Sequence, residues 1–246
     1  MQLGFIKKLC RISLLGLVIW ASGCGTVPKP KPLTAEEQIH IDSKVGLTLA
    51  KDFDAECSFK HDGKVENYLN KVARRLADAV PELKTTPIAV VILSDRNKRW
   101  QNYALPGNRI YLSVGLLRGM EFENEIAAAI AFQLGHILKR HAVLHYEKDF
   151  KSLPNLRGIF DFNEMEDVAA SQSGVNVLYR AGYDPRGLVS LWEQYQNNLQ
   201  HSPYKADTLS TLTEKTRQAI ALNTPLRNPI VRSQAFLTVK KRIQKL

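Results

Sequence analysis

Apolar residues return at helical spacing along most of this chain, and two short strand-like stretches interrupt that rhythm. Thr34-Ala-Glu-Glu37 is a capping-box signal; the helix it opens is expected to run to about Phe53, with Gly46 a weak point in its middle. Asp62 caps a second helix whose stripe is Val65, Tyr68, Leu69, Val72, Leu76 and Val80, stopped by Pro81. Ile88 to Leu93 follows Pro87 as a buried strand, Tyr103 to Gly107 is a turn, and Arg109 to Ser113 is a second strand. The longest pattern, Glu123 to His141, predicts one amphipathic helix with Ile126, Ala129, Ile130, Gln133, Leu134, Ile137 and Leu138 on its apolar side. A helix from about Glu164 to Arg180 ends at Gly182, and Asp184-Pro185 opens another that buries Leu188, Leu191, Trp192 and Tyr195. Beyond Gln200 the pattern weakens between Pro203, Pro225 and Pro229, and Val239 to Leu246 is a basic helical tail. These elements predict an α+β fold, mainly helical, with a small β-sheet.

The N-terminal residues stand apart from that fold. Lys7, Lys8 and Arg11 precede the apolar run Ile12 to Ala21, which is too short to remain in a bilayer as a spanning helix. Ala21-Ser22-Gly23-Cys24 closes the run and resembles a bacterial lipobox. The expectation is a signal peptide over residues 1–23, a lipidated Cys24, and a Pro/Lys-rich tether over 24–32. Residue 25 is Gly and not the Asp that retains such lipoproteins at the inner membrane, which implies the outer membrane, facing the periplasm. Ordinary signal cleavage beside an incidental Cys24 is the alternative. Removing the three cations of the signal lowers the formal charge from +10 to +7. An exported basic chain without a nucleic-acid motif is expected to bind no nucleic acid. With Cys10 lost and Cys24 acylated, Cys57 has no partner for an internal disulfide and is expected to be a small buried apolar residue.

The centre of the long helix carries the chemistry. Phe132-Gln133-Leu134-Gly135-His136 has the spacing of the zinc-protease motif His-Glu-x-x-His, in which two His one turn apart bind zinc and the Glu activates the metal-bound water. Here Phe132 stands at the first His, Gln133 at the Glu, and only His136 remains.

Around it the chain resembles the zincin metallopeptidase family that includes HtpX, BepA and the CAAX prenyl proteases, as a degenerate lipoprotein member. The resemblance rests on Gln101-Asn-Tyr-Ala-Leu-Pro-Gly107, Ile110 to Leu117, Glu123-Asn-Glu125, Arg140-His141-Ala142, and Ala170-Ser-Gln-Ser-Gly174 followed by Gly182-Tyr-Asp-Pro185. It implies a zincin-like peptidase domain over residues 33–200 and a C-terminal extension over 201–246 packing on or flanking it. It also places Asp167 at the third metal ligand and Ser171 where the family's Asp orients the first His.

A hydrolytic zinc site needs three protein ligands and a water. His136 and Asp167 supply two, and Gln133 cannot accept the water's proton. On one straight helix His136 lies roughly 140° from His141 and roughly 180° from His145, so those three cannot converge. No Gly-x-Ser-x-Gly elbow offers another nucleophile. No catalytic residue, bound metal or cofactor is therefore expected, with His136 and Asp167 as vestigial metal candidates.

The resemblance also implies a peptide groove at an edge strand, corresponding to Asn108, Arg109, Ile110, Tyr111, Leu112 and Ser113, where an added strand needs no metal. The resulting expectation is a non-catalytic peptide-binding or scaffold role in envelope assembly or quality control, with an envelope protein or peptide as partner and the membrane reached through the lipid. A retained fold without groove function is the plain version. The alternatives are an active endopeptidase using zinc with a non-standard ligand set, and an envelope-anchored structural protein acting through its basic tail.

Overall fold

The structure, a computed structural model, describes residues 32–94, 100–106, 109–149 and 159–246. The expected signal peptide, Cys24, the tether to residue 31, Gly107 and Asn108 lie outside the described residues. Residues 33–246 form one compact unit.

Helix α1 (Ala35–Glu56) opens with the expected capping box: the Glu37 backbone N–H donates to Thr34 Oγ1 at 3.2 Å, and the Thr34 N–H donates to the Glu37 carboxylate at 2.8 Å. Gly46 does not weaken α1; it lets the helix touch the sheet's turn, since a Cβ there would stand 2.0 Å from the Pro106 carbonyl oxygen. Helix α2 (Gly63–Asp78) is capped by Asp62, and its predicted stripe is buried.

Three strands follow, one more than the pattern predicts. Strands β1 (Ala89–Leu93) and β3 (Arg109–Ser113) are parallel neighbours, and β2 (Asn102–Leu105), read from sequence as turn, pairs antiparallel with β3. The order is β1-β3-β2. Alternation then sorts the side chains. Val90, Ile92, Ile110 and Leu112 join the main core with α2, while Leu93, Leu105 and Tyr111 join Leu49 and Phe53 of α1 on the other face. Half-buried Cys57 sits at the edge of that second cluster and is not a core residue.

A short helix α3 (Val114–Gly119) leads to α4 (Glu123–Leu138), the hub of the fold. It is not amphipathic: every residue from Glu123 to Ile137 is buried. A helix covered on all sides loses its polar face, and α4 is covered by the sheet, α2, α6 (Glu164–Ala181) and α7 (Arg186–Asn197), with α8 (Ala206–Ala221) packed on α6 and α7 in turn. Nor does it run to His141. It ends at Leu138, Arg140 takes a left-handed φ of 59°, and α5 (His141–Asp149) sets off in a new direction. That conformation costs a non-glycine residue about 1–2 kcal/mol; here the Arg140 guanidinium is held by the buried Asp42 carboxylate at 2.6 and 3.0 Å.

The region after Gln200, weak in pattern, holds α8 and α9 (Gln234–Ile243) and is built into the core. Ile230 exchanges backbone hydrogen bonds with Gly182 and Asp184, and the Glu123 and Asn124 N–H groups donate to Val231 O. The basic tail is not a free arm. Val239 and Ile243 are buried, Lys240 donates to the Arg118 and Met120 carbonyls, and Arg242 pairs with Asp62, the cap of α2. Among the described residues no helix is long and apolar enough to cross a membrane.

Candidate functional site

Helices α4 and α6 meet backbone to backbone. A Cβ on Gly135 would fall 2.1 Å from Ala170 O, and one on Gly174 would fall 3.1 Å from Ala131 O. This approach brings His136 of α4 against Asp167 of α6, with Nε2 and Oδ1 3.4 Å apart and both side chains buried. The two lie at the floor of a cleft of roughly 710 Å³ whose walls include Asn102, Tyr103, Phe162 and Tyr204.

Phe132 fills the place one turn before His136. Its ring meets His136 edge to face at 4.6 Å between centroids and Trp192 at 4.9 Å, so the position is closed by aromatic packing. On the other side Phe162 stacks on the His136 ring at 4.1 Å. Gln133 Nε2 donates to the Asn102 carbonyl of β2 at 2.9 Å, while its Oε1 has no hydrogen-bond partner. Ser171 has a client other than an imidazole: its Oγ lies 2.6 Å from Thr216 Oγ1 of α8, which also accepts from Trp192 Nε1 at 3.0 Å.

The break at Arg140 changes the histidine geometry. His136 Nδ1 and His141 Nδ1 are 2.9 Å apart, so one ring donates and the other accepts. A straight helix would have separated them. His145 turns away to Glu166, 2.9 Å from its Nε2. Burial holds His136 far below the ordinary histidine range, at about 3, and burial with the neighbouring His136 lowers His141 to about 4. Burial, then the charges of Glu166 and Glu164, raises Asp167 to about 8. His136 and Asp167 therefore face each other as neutral groups at pH 7, and His136 Nε2 has no hydrogen-bond partner.

These residues do not fit a hydrolytic zinc centre. Phe132 offers no lone pair, Gln133 no base, and His141 approaches the Nδ1 side of His136, away from Asp167. Among the described residues no group of three or more His, Cys, Asp or Glu side chains is arranged to hold a metal ion.

The expected groove needs correction. β3 is the central strand, hydrogen-bonded on both sides, and Ile110, Tyr111, Leu112 and Ser113 are fully buried, so no peptide can add there. Arg109 is tied to Asp54 of α1, as is the Tyr111 hydroxyl. The stretch that does line the cleft is Gln101 to Tyr103, at the start of β2. Sequence reasoning also missed Phe162, His141 as the partner of His136, and Thr216. Of these only Thr216 left a trace, as a polar residue continuing the helical spacing of Leu209 and Leu212.

A small mixed sheet beside a buried central helix, with the His-x-x-x position of that helix facing an acid on the next long helix, defines a zincin-like α+β metallopeptidase fold. The model of Peptidase family M48 matches residues 63–162, which supports assigning the chain to that family. The chain is similar to the beta-barrel assembly-enhancing protease of Escherichia coli K12, 20% identical over 181 residues that cover 61% of this chain and 37% of that protein. Its counterpart in Yersinia pestis is 20% identical over 249 residues, covering 85% of this chain and 50% of the relative. The chain thus spans half or less of the length of these relatives.

Proposed function

We propose that this protein is a non-catalytic member of its family: a lipoprotein of the bacterial outer membrane, facing the periplasm, that binds peptide or protein segments in envelope assembly or quality control. The observation that carries the reading is the Phe132 ring packed between His136 and Trp192 where a metal ligand would be needed. Gln133 supports it, because its amide is spent on the Asn102 carbonyl and cannot take a proton from water. The cleft itself persists, bordered by Gln101 to Tyr103, so a segment could still be held without being cut. The assembly-enhancing role named for the relatives supports the choice of setting. Membrane attachment through Cys24 rests on the lipobox-like sequence.

Zinc content and proteolysis test this together. Residues 33–246, purified without chelator or added metal, are expected to contain almost no zinc and to leave unfolded outer-membrane protein uncut. About one zinc per chain, with cleavage abolished by His136→Ala, would replace this reading with that of a divergent zinc endopeptidase. Labelling with palmitate that persists in Cys24→Ser would remove the lipid anchor from the proposal.

A further inference from the structure

The cleft floor gathers acceptor atoms. Gln133 and His136 are each at least 97% buried, both line the cleft, and Gln133 Oε1 and His136 Nε2 have no hydrogen-bond partner. The orientation of the Gln133 amide is set by its own bond: the Asn102 carbonyl can only accept, so Nε2 must face it and Oε1 must face away. In the tautomer in which His136 Nδ1 donates to His141, Nε2 presents a lone pair, and it is this tautomer that an incoming donor selects. The Asp167 carboxyl stands 3.4 Å from that nitrogen. A buried acceptor left without a donor is destabilising, and here acceptors of three kinds line one floor. Above them stand the rings of Phe162, Tyr103 and Tyr204, with the acids Asp161 and Glu164 and the cation Lys205 on the rim. The rim thus carries one more acid than base in a chain of formal charge +10.

We infer that the floor of this cleft binds a primary ammonium group, the ε-amine of a lysine or the free α-amine of a peptide, through Gln133 Oε1, His136 Nε2 and the Asp167 carboxyl, which releases its proton to solvent as the cation enters. An ammonium brings three N–H donors and a positive charge, which matches three acceptors of which one ionises. Charge-assisted bonds of this kind are about twice as strong as neutral ones, and the surrounding rings favour a cation over their faces. The family's cation position thus becomes a site for an organic cation, which needs no imidazole where Phe132 now stands. The inference rests on the reading of the cleft as a peptide-binding site and names the group that the peptide must carry.

The test is a calorimetric titration of the full chain with short acetylated and amidated alanine peptides that carry one central lysine, or norleucine in its place. A third peptide keeps the norleucine and has a free N-terminus. The lysine peptide or the free-amine peptide is expected to bind at least about tenfold more tightly than the blocked norleucine peptide, and whichever does so identifies the source of the amine. Asp167→Asn and Gln133→Leu should each reduce that preference severalfold. Equal affinity for all three peptides would overturn the ammonium site and leave the peptide-binding reading standing. No binding of any of them would overturn both. Because the comparison among peptides is made on the unaltered chain, it holds even where a variant fails to fold.

Discussion

Ser171 and Thr216 share a hydrogen bond of 2.6 Å in the fully buried seam between α6 and α8. Thr216 also receives the Trp192 indole N–H, and Trp192 in turn carries the ring of Phe132. Phe132 and Ser171, which the resemblance aligns with a metal ligand and with the residue that orients it, are therefore parts of one packed unit. Thr216→Val keeps the volume but leaves the Ser171 hydroxyl and the indole N–H without this partner. It should cost about 1–3 kcal/mol of stability, read from urea unfolding, whereas a change below about 0.5 kcal/mol would mean the network is not closed as described.

Glycines set how closely α1 and α4 can approach their neighbours. A methyl at Gly135 would enter the Ala170 carbonyl, and one at Gly46 the Pro106 carbonyl, both backbone atoms that cannot swing aside. At Gly63, in the first turn of α2, nothing lies within 4 Å. Gly135→Ala and Gly46→Ala should each destabilise by about 2 kcal/mol or more, while Gly63→Ala should stabilise by about 0.4–1 kcal/mol. Thermal melts of the three variants measure this directly, and a neutral Gly135→Ala would contradict the backbone contact.

If a few side chains, and not the fold, separate this cleft from a zinc site, such a site can be built into it. Phe132→His, Gln133→Glu and Asp167→Glu restore ligands and base, and Ser171→Asp restores the residue that orients the first imidazole. The fourfold variant should purify with about one zinc per chain, and the version lacking Ser171→Asp should bind zinc about 10–100-fold more weakly. Phe132→His alone should bind little. A fourfold variant that melts cooperatively yet takes up no zinc would show that the α4–α6 geometry itself has drifted.

Much of the frame was legible because local signals agree with it. The Thr34 and Asp62 caps, the α2 stripe and the Gly182 stop each report a contact within a few residues. What stayed hidden depends on contacts distant in sequence. β2 is a strand because β3 pairs with it, and in the sequence its Asn102 to Leu105 lead straight into a Pro-Gly turn. Missing β2 made β3 look like an edge. The break after Leu138 depends on Asp42, 98 residues earlier, clamping Arg140, and no helical pattern encodes that. The degenerate motif could be read from Phe132, Gln133 and His136 alone; that His141 would stand behind His136 could not.

The buried titratable groups give the folded state an optimum of pH. Asp167 keeps its proton to about pH 8 when folded, against an ordinary value of 3.8, so between those values the folded chain binds more protons than the unfolded one. Its contribution to stability falls as pH rises through that window. His136 and His141 act in the opposite sense. Their folded values of about 3 and about 4 keep them neutral where an unfolded histidine is protonated below 6.5, so stability rises with pH up to that point. Two histidines outweigh one carboxyl from about pH 4 to 6.5, and above 6.5 Asp167 acts alone among these three. The depressed carboxyl values of Asp184, held down by Arg186, and of Glu166 steepen the loss at the acid end only. Melting temperature should therefore peak near pH 6.5 and decline on both sides. Asp167→Asn should flatten the decline between pH 6.5 and 8 and leave the acid limb in place. A parent profile that keeps rising to pH 8 would mean that Asp167 is ionised in the folded protein, and that a cation or a donor not visible among these side chains already faces it.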